Sequence, residues 1–194
     1  MDWIEANGVS LRYDLSGSGA STVVLIHEVG GAVESFDEVM PVFQKDFRVL
    51  RYDQRGFGLS EKTNVITLDS IMADLVGLLD ALGITGPVHV AGTAMGAGLG
   101  IAFAARYPER VTRLAISSPA TGTSTAHLAQ RNERAQTIQE KGMRAVVETS
   151  LERSYPRALR GNKERYERFR LRWVSNDPES FIALQHMSAE MDLT

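Results

Sequence analysis

Residues 88–102 leave this chain few ways to fold. A short apolar run, Val88-His89-Val90-Ala91, ends at Gly92, and after three residues Gly96 opens an Ala/Gly-rich stretch, Gly96-Ala97-Gly98-Leu99-Gly100-Ile101-Ala102. The pattern reads as strand, sharp turn and helix. Glycines at 92 and 96 relieve crowding where the backbone turns tightly. Gly98 and Gly100 let the helix lie close on a sheet. Ala94 stands at the apex.

The flanking stretches supply the elements such a turn needs. Trp3-Ile4-Glu5 and Val9-Ser10-Leu11-Arg12-Tyr13 alternate in polarity and are joined at Asn7-Gly8, a pair that favours a two-residue hairpin turn. Thr22-Val23-Val24-Leu25-Ile26 is a continuous apolar run, as expected for a strand covered on both faces. It ends at His27-Glu28-Val29-Gly30-Gly31. A helix over about 35–45 is expected next, with Phe36, Val39, Met40 and Phe43 on one face. The strand 47–52 empties into Asp53-Gln54-Arg55-Gly56-Phe57-Gly58-Leu59-Ser60. Thr67 is placed to cap a helix whose Ile71, Leu75, Leu78, Leu79 and Leu82 share one face, and Gly83 stops it. The helix after the turn ends near Tyr107-Pro108, and 111–116 makes a further strand. This order predicts the α/β class, with a mostly parallel sheet flanked by helices. Ligands on such sheets sit beyond the carboxyl ends of the strands, and the loops at 27–31, 53–60 and 92–96 all fall at that edge.

Composition shifts after Gly122. Residues 1–122 hold 9 Lys and Arg against 14 Asp and Glu, whereas 123–194 hold 12 against 10. The second part reads as helices alone, over about 124–141, 143–153, 162–175 and 178–190. The domains expected are a core over 1–122 and a helical cap over 123–194. Between Arg153 and Arg172 there are eight basic residues and two glutamates. This segment is either an amphipathic helix with a solvated basic face, its Tyr166, Phe169 and Trp173 on the other side, or a cap that attracts an anionic substrate.

Composition also excludes some functions. The apolar fraction of 43% is enough for a buried core. A net charge of −3 gives no reason to expect nucleic acid as a partner. Without cysteine there is no disulfide framework, thiolate chemistry or Cys-ligated metal. No apolar run reaches the ~20 residues of a membrane helix, and the acidic start Met1-Asp2-Trp3-Ile4-Glu5 has no leader pattern. A cytoplasmic protein with no membrane partner is expected.

Four features in order resemble the α/β-hydrolase superfamily, more narrowly its capped lipase/esterase-like branch. They are the His27 loop, the Asp53–Ser60 loop, the Gly92–Gly96 turn and Ala104-Ala105-Arg106-Tyr107-Pro108-Glu109-Arg110-Val111. The pattern is similar to 3-oxoadipate enol-lactonases. The resemblance makes the turn a nucleophile elbow, with Ala94 where the family usually has serine. It implies oxyanion-hole N–H groups from Met95 and Val29. Its triad acid and histidine follow the elbow, commonly beyond the cap, and Ser117-Ser118-Pro119-Ala120 offers no acid. Family members are longer, so this chain is expected to lack C-terminal strands. An unpaired sheet edge then invites a second copy, or association with the missing segment.

The resemblance implies a hydrolase of a small ester, lactone, amide or keto acid, inactive or impaired because Ala94 cannot attack. The alternatives are a small-ligand binding protein that lost its nucleophile, and cofactor-free chemistry at the oxyanion hole. The partner expected is a small molecule, possibly anionic, with no metal or organic cofactor. Candidate pocket residues are His27, Glu28, His127 and His186, with His27 the expected brace of the oxyanion loop. His89, among valines in its strand, is expected in the core.

Overall fold

The computed structural model describes residues 1–122 and 125–193, with the side chains of 125–127 outside the description. Six strands form one sheet: β1 (Asp2–Ala6), β2 (Val9–Ser16), β3 (Ser21–Ile26), β4 (Phe47–Tyr52), β5 (Val88–Thr93) and β6 (Val111–Ser117), in the order β1-β2-β4-β3-β5-β6. The pairs β4–β3, β3–β5 and β5–β6 are parallel, and β1 and β2 add an antiparallel hairpin at one side. Asn7 and Gly8 both take positive φ, 50° and 71°, as a hairpin turn matched to strand twist requires.

The apolar run of β3 works on two faces. Val24 and Ile26 join Leu50, Val90, Leu75, Leu99 and Phe103 in the larger cluster, while Val23 and Leu25 join Val49 and Met40 in a smaller one. Strand side chains alternate between faces, so a run with no polar member means that both sides are covered. Helices α2 (Leu68–Ala81) and α3 (Met95–Arg106) contribute to the larger cluster. Thr67 accepts the Ser70 N–H at 3.0 Å and caps α2.

The helix expected over 35–45 is broken. A 3-10 turn spans Val33–Phe36 and a single helical turn, α1, spans Met40–Phe43. Pro41 has no N–H to donate to the Asp37 carbonyl, so a continuous helix cannot pass through it. Phe36, Met40 and Phe43 still reach the smaller cluster, whereas Val39 is exposed.

After β6 the described chain is helical: α4 (Thr125–Lys141), α5 (Arg144–Ser154), α6 (Lys163–Val174) and α7 (Pro178–Glu190). Ile138, Val147, Leu151, Trp173 and Phe181 belong to the same cluster as the sheet. Phe181 of α7 lies 6.4 Å from Phe57, ring to ring, and the Ser180 hydroxyl accepts the Thr63 N–H at 3.1 Å. The loop after β4 is thus held from above by α7. At the other side of the sheet β6 is an open edge, with Leu114 and Ile116 37% and 45% exposed.

Candidate active site

β5 and α3 meet at Ala94, which takes φ 51° and ψ −114°. A left-handed φ is costly for any residue with a Cβ, and this one is held from three directions. The Ala94 N–H donates to the Ser117 carbonyl at 3.0 Å, and the Ala94 carbonyl accepts from Ala120 at 3.0 Å and Gly98 at 3.2 Å. The glycines on either side are needed for space. A Cβ on Gly92 would stand 2.3 Å from the Gly96 carbonyl oxygen, and one on Gly96 would stand 2.0 Å from that of Ile26. Gly98 is pressed to the Ala120 carbonyl in the same way, whereas Gly100 meets only the side chains of Leu114 and Val90.

Seating α3 on the end of β3 brings the apex beside the loop 27–31. Among the described residues, neither the Val29 nor the Met95 backbone N–H has a hydrogen-bond acceptor. Met95 is buried as the first residue of α3 and Val29 is half-buried against the core.

His27 is buried and presents no free ring nitrogen. Its Nε2 accepts the Gln54 backbone N–H at 3.1 Å, which places the ring proton on Nδ1, 2.7 Å from the Glu28 carbonyl oxygen. The Gln54 side chain donates to the His27 carbonyl at 2.9 Å. Burial pushes the imidazole pKa down, against the opposing pull of Glu28. The ring ties the loop after β3 to the loop after β4.

The other candidates separate. Glu28 accepts from the Ser35 hydroxyl at 3.0 Å and lies 3.7 Å from Arg172 Nη2. It lines a cavity of about 730 Å³ between α6 and the loop after β3, together with Arg12, Glu34, Arg165, Phe169 and Arg172. Val29, Ala94 and Met95 are not part of that lining. His186 is exposed on α7. The His127 side chain lies outside the described residues. His89 is half-buried, its ring edge-on to Phe47 at 5.9 Å.

The loop 53–60 is an internal brace. Asp53 is fully buried and accepts from Arg12 Nε at 2.6 Å and from the Val33 and Leu59 backbone N–H groups, both at 2.7 Å. Burial opposes the Arg12 charge, but Asp53 and Glu34 outweigh it and raise its pKa. Arg55 makes a two-pronged pair with Asp74 at 2.5 Å and is occupied as an internal partner.

Trp173, which the sequence pattern had placed only on a helix face, stands over the loop 27–31. Trp173 packs on Gly30, where a Cβ would come within 3.0 Å of its ring, and Asn176 Nδ2 donates to the Gly30 carbonyl at 3.3 Å. Among the described residues, Trp173 Nε1 and Arg172 Nε are both buried with no hydrogen-bond partner. Arg165 pairs with Glu38 at 2.6 Å and Arg172 faces Glu28, so α6 meets acidic groups around the loop after β3.

Residues 21–190 match a protein family described as alpha/beta hydrolase fold. The chain belongs to the α/β-hydrolase fold family. Among its relatives, 2-hydroxy-6-oxo-2,4-heptadienoate hydrolase of Pseudomonas putida is 36% identical over 57% of this chain and 41% of its own length. 3-Oxoadipate enol-lactonase 2 of Acinetobacter baylyi is 25% identical over 99% of this chain and 72% of its own. The solved enol-lactonase of Burkholderia xenovorans superposes with a TM-score of 0.91 at 28% identity, covering 99% of this chain and 75% of that one. This α/β-hydrolase-fold chain spans about two fifths of the length of several curated relatives it matches. No described helix is long and apolar enough to cross a membrane.

Proposed function

We propose that this chain carries the carbonyl-binding part of a hydrolase site for a small ester, lactone, amide or keto acid, without the attacking atom. The observation that carries the reading is Ala94, a methyl-bearing residue at φ 51° on the apex between Gly92 and Gly96. In this reading the Val29 and Met95 N–H groups are the oxyanion donors, which fits their lack of acceptors. Two preorganised donors stabilise an oxygen that becomes negative as a carbonyl is attacked. A methyl has no lone pair, so no acyl-enzyme forms, and the protein binds ligand with little or no turnover.

Residues 123–194 act as a cap over a core of 1–122. The N–H groups of Arg172 and Trp173 that have no partner among the described residues support a ligand that carries a carboxylate. The keto-acid and enol-lactone chemistry in the relatives' names points the same way.

Equilibrium binding and turnover of small lactones, esters and keto acids, measured side by side, test the proposal. Saturable binding with turnover at least about a thousandfold below the ~10 s⁻¹ of a typical enzyme is expected. Turnover at an ordinary enzymatic rate with alanine at 94 overturns it. Arg172→Gln should weaken carboxylate ligands about tenfold, the scale of one charge-assisted contact, and leave uncharged lactones unchanged.

A further inference from the structure

The helices α4 and α5 border an open cavity of about 580 Å³, lined by Gln130, Arg134 and Thr137 on one side and Thr149, Ser150 and Arg153 on the other. No residue of the loop after β3 or of the Ala94 turn lines it. Arg134 is half-buried there and has no hydrogen-bond or ion-pair partner among the described residues. Its neighbours repel it. Burial lowers the Arg134 pKa, and the charges of Arg131 and Arg153 add to the effect. Arg153 spends one N–H on Gln130 Oε1 at 3.1 Å, and Arg131 donates to the Ser188 carbonyl and hydroxyl at 2.8 and 2.7 Å. Two carboxylates share the lining. Glu152 is turned to Arg157 and Arg160, each at 3.4 Å, and Glu133 is exposed.

We propose that the α4–α5 cavity binds a small oxyanion, a phosphate or carboxylate group on a compact molecule, with Arg134 as its principal contact. A guanidinium presents donors in a planar fork that matches two oxygens of such a group. An anion seated there pairs a charge left without a partner and offsets the repulsion among three arginines. The hydroxyl of Thr149 lies in the same lining and is available to the ligand as a further donor. The volume fits a compact molecule, since small-molecule sites fall at about 300–1,000 Å³. This site stands apart from the one assigned to the carbonyl ligand, and neither requires the other.

The test is a titration of the whole protein with sodium phosphate and, separately, sodium succinate, at ionic strength held constant with chloride. Melting temperature and calorimetric binding are both read. Saturable binding is expected, weakened at least tenfold by Arg134→Gln and unchanged by Arg113→Gln, an exposed arginine on β6 outside both sites. Without added anion, Arg134→Gln should melt at the same temperature as the parent or higher, because it removes an unpaired, repelled charge. Phosphate alone or succinate alone saturating the site identifies the oxyanion. Binding kept at full strength with Arg134→Gln places the anion elsewhere and overturns the proposal. So does a lower melting temperature for Arg134→Gln without anion, since Arg134 would then have an internal partner. No saturable binding of either anion overturns it as well.

Discussion

Gly96 lies flush on the carbonyl of Ile26: a Cβ added to Gly96 would stand 2.0 Å from that oxygen and 2.6 Å from the His27 carbonyl oxygen. Both neighbours are backbone and cannot swing aside. Gly96→Ala should therefore cost about 3 kcal/mol or more, the upper end of overpacking effects. Gly83→Ala is the control, at φ 67° with open space around it, and should cost only about 1 kcal/mol of backbone strain. Urea unfolding of both variants checks this, and equal losses would contradict the close contact.

Ala94 itself bears strain that its hydrogen bonds to Ser117, Ala120 and Gly98 hold in place. Ala94→Gly should raise stability by about 1 kcal/mol, since relief of an αL-like φ exceeds the extra chain entropy of glycine. Ala94→Ser should leave stability within about 0.5 kcal/mol, because serine keeps the same Cβ. A large loss for Ala94→Gly would mean that the methyl packs rather than strains.

Tyr52 is buried and its hydroxyl has no partner among the described residues, and burial, helped by Asp74, raises its pKa. A buried hydroxyl without a partner carries an uncompensated desolvation cost of about 1–3 kcal/mol. Tyr52→Phe should accordingly leave the thermal midpoint unchanged or raise it. A fall of several degrees in calorimetry would reveal a hydrogen bond at that oxygen.

His27 gives a pH dependence whose sign follows from its lowered pKa. The unfolded chain takes up a proton as pH falls through the ordinary value of 6.5, and the folded protein does so only at lower pH. The contribution of His27 is therefore complete above 6.5 and is lost as pH falls from there through the folded pKa. NMR of the ring should show His27 still neutral, with the proton on Nδ1, as pH passes 6.5. Protonation at or above 6.5 would contradict its enclosed geometry.

Arg55 and Asp74 form a buried two-pronged pair. Removing one partner, as in Arg55→Met, leaves a buried charge and should cost about 3–5 kcal/mol. Arg55→Met with Asp74→Leu should recover much of that loss in a double-mutant cycle. Additive losses would mean that the two side chains act independently.

Much of the fold was legible because single elements carry their own signals. Asn7-Gly8 names its turn, Thr67 names a cap, and the apolar run of β3 announces cover on both faces. The break near 37–40 was missed although Pro41 marked it, because the apolar spacing of Phe36, Met40 and Phe43 survives the break. Among candidate site residues, His27 shows the limit of pattern. Its place at the end of β3 was readable, but its enclosure by Gln54 comes from a partner 27 positions away. His186 had no pattern to show which side of α7 it takes, and it is exposed. Arg172 and Trp173 were visible only as a basic residue and an aromatic on one helix.

The order of strands and helices, the glycine-flanked turn and the alanine at its apex follow from sequence alone, since turns, caps and periodicity act over a few residues. Which groups are left with unspent hydrogen bonds was decided by tertiary structure. Val29 lies in the loop after β3, Met95 on α3, Arg134 on α4, and Arg172 and Trp173 on α6. Whether an N–H is satisfied depends on what the rest of the chain brings to it, and burial sets the cost when nothing arrives.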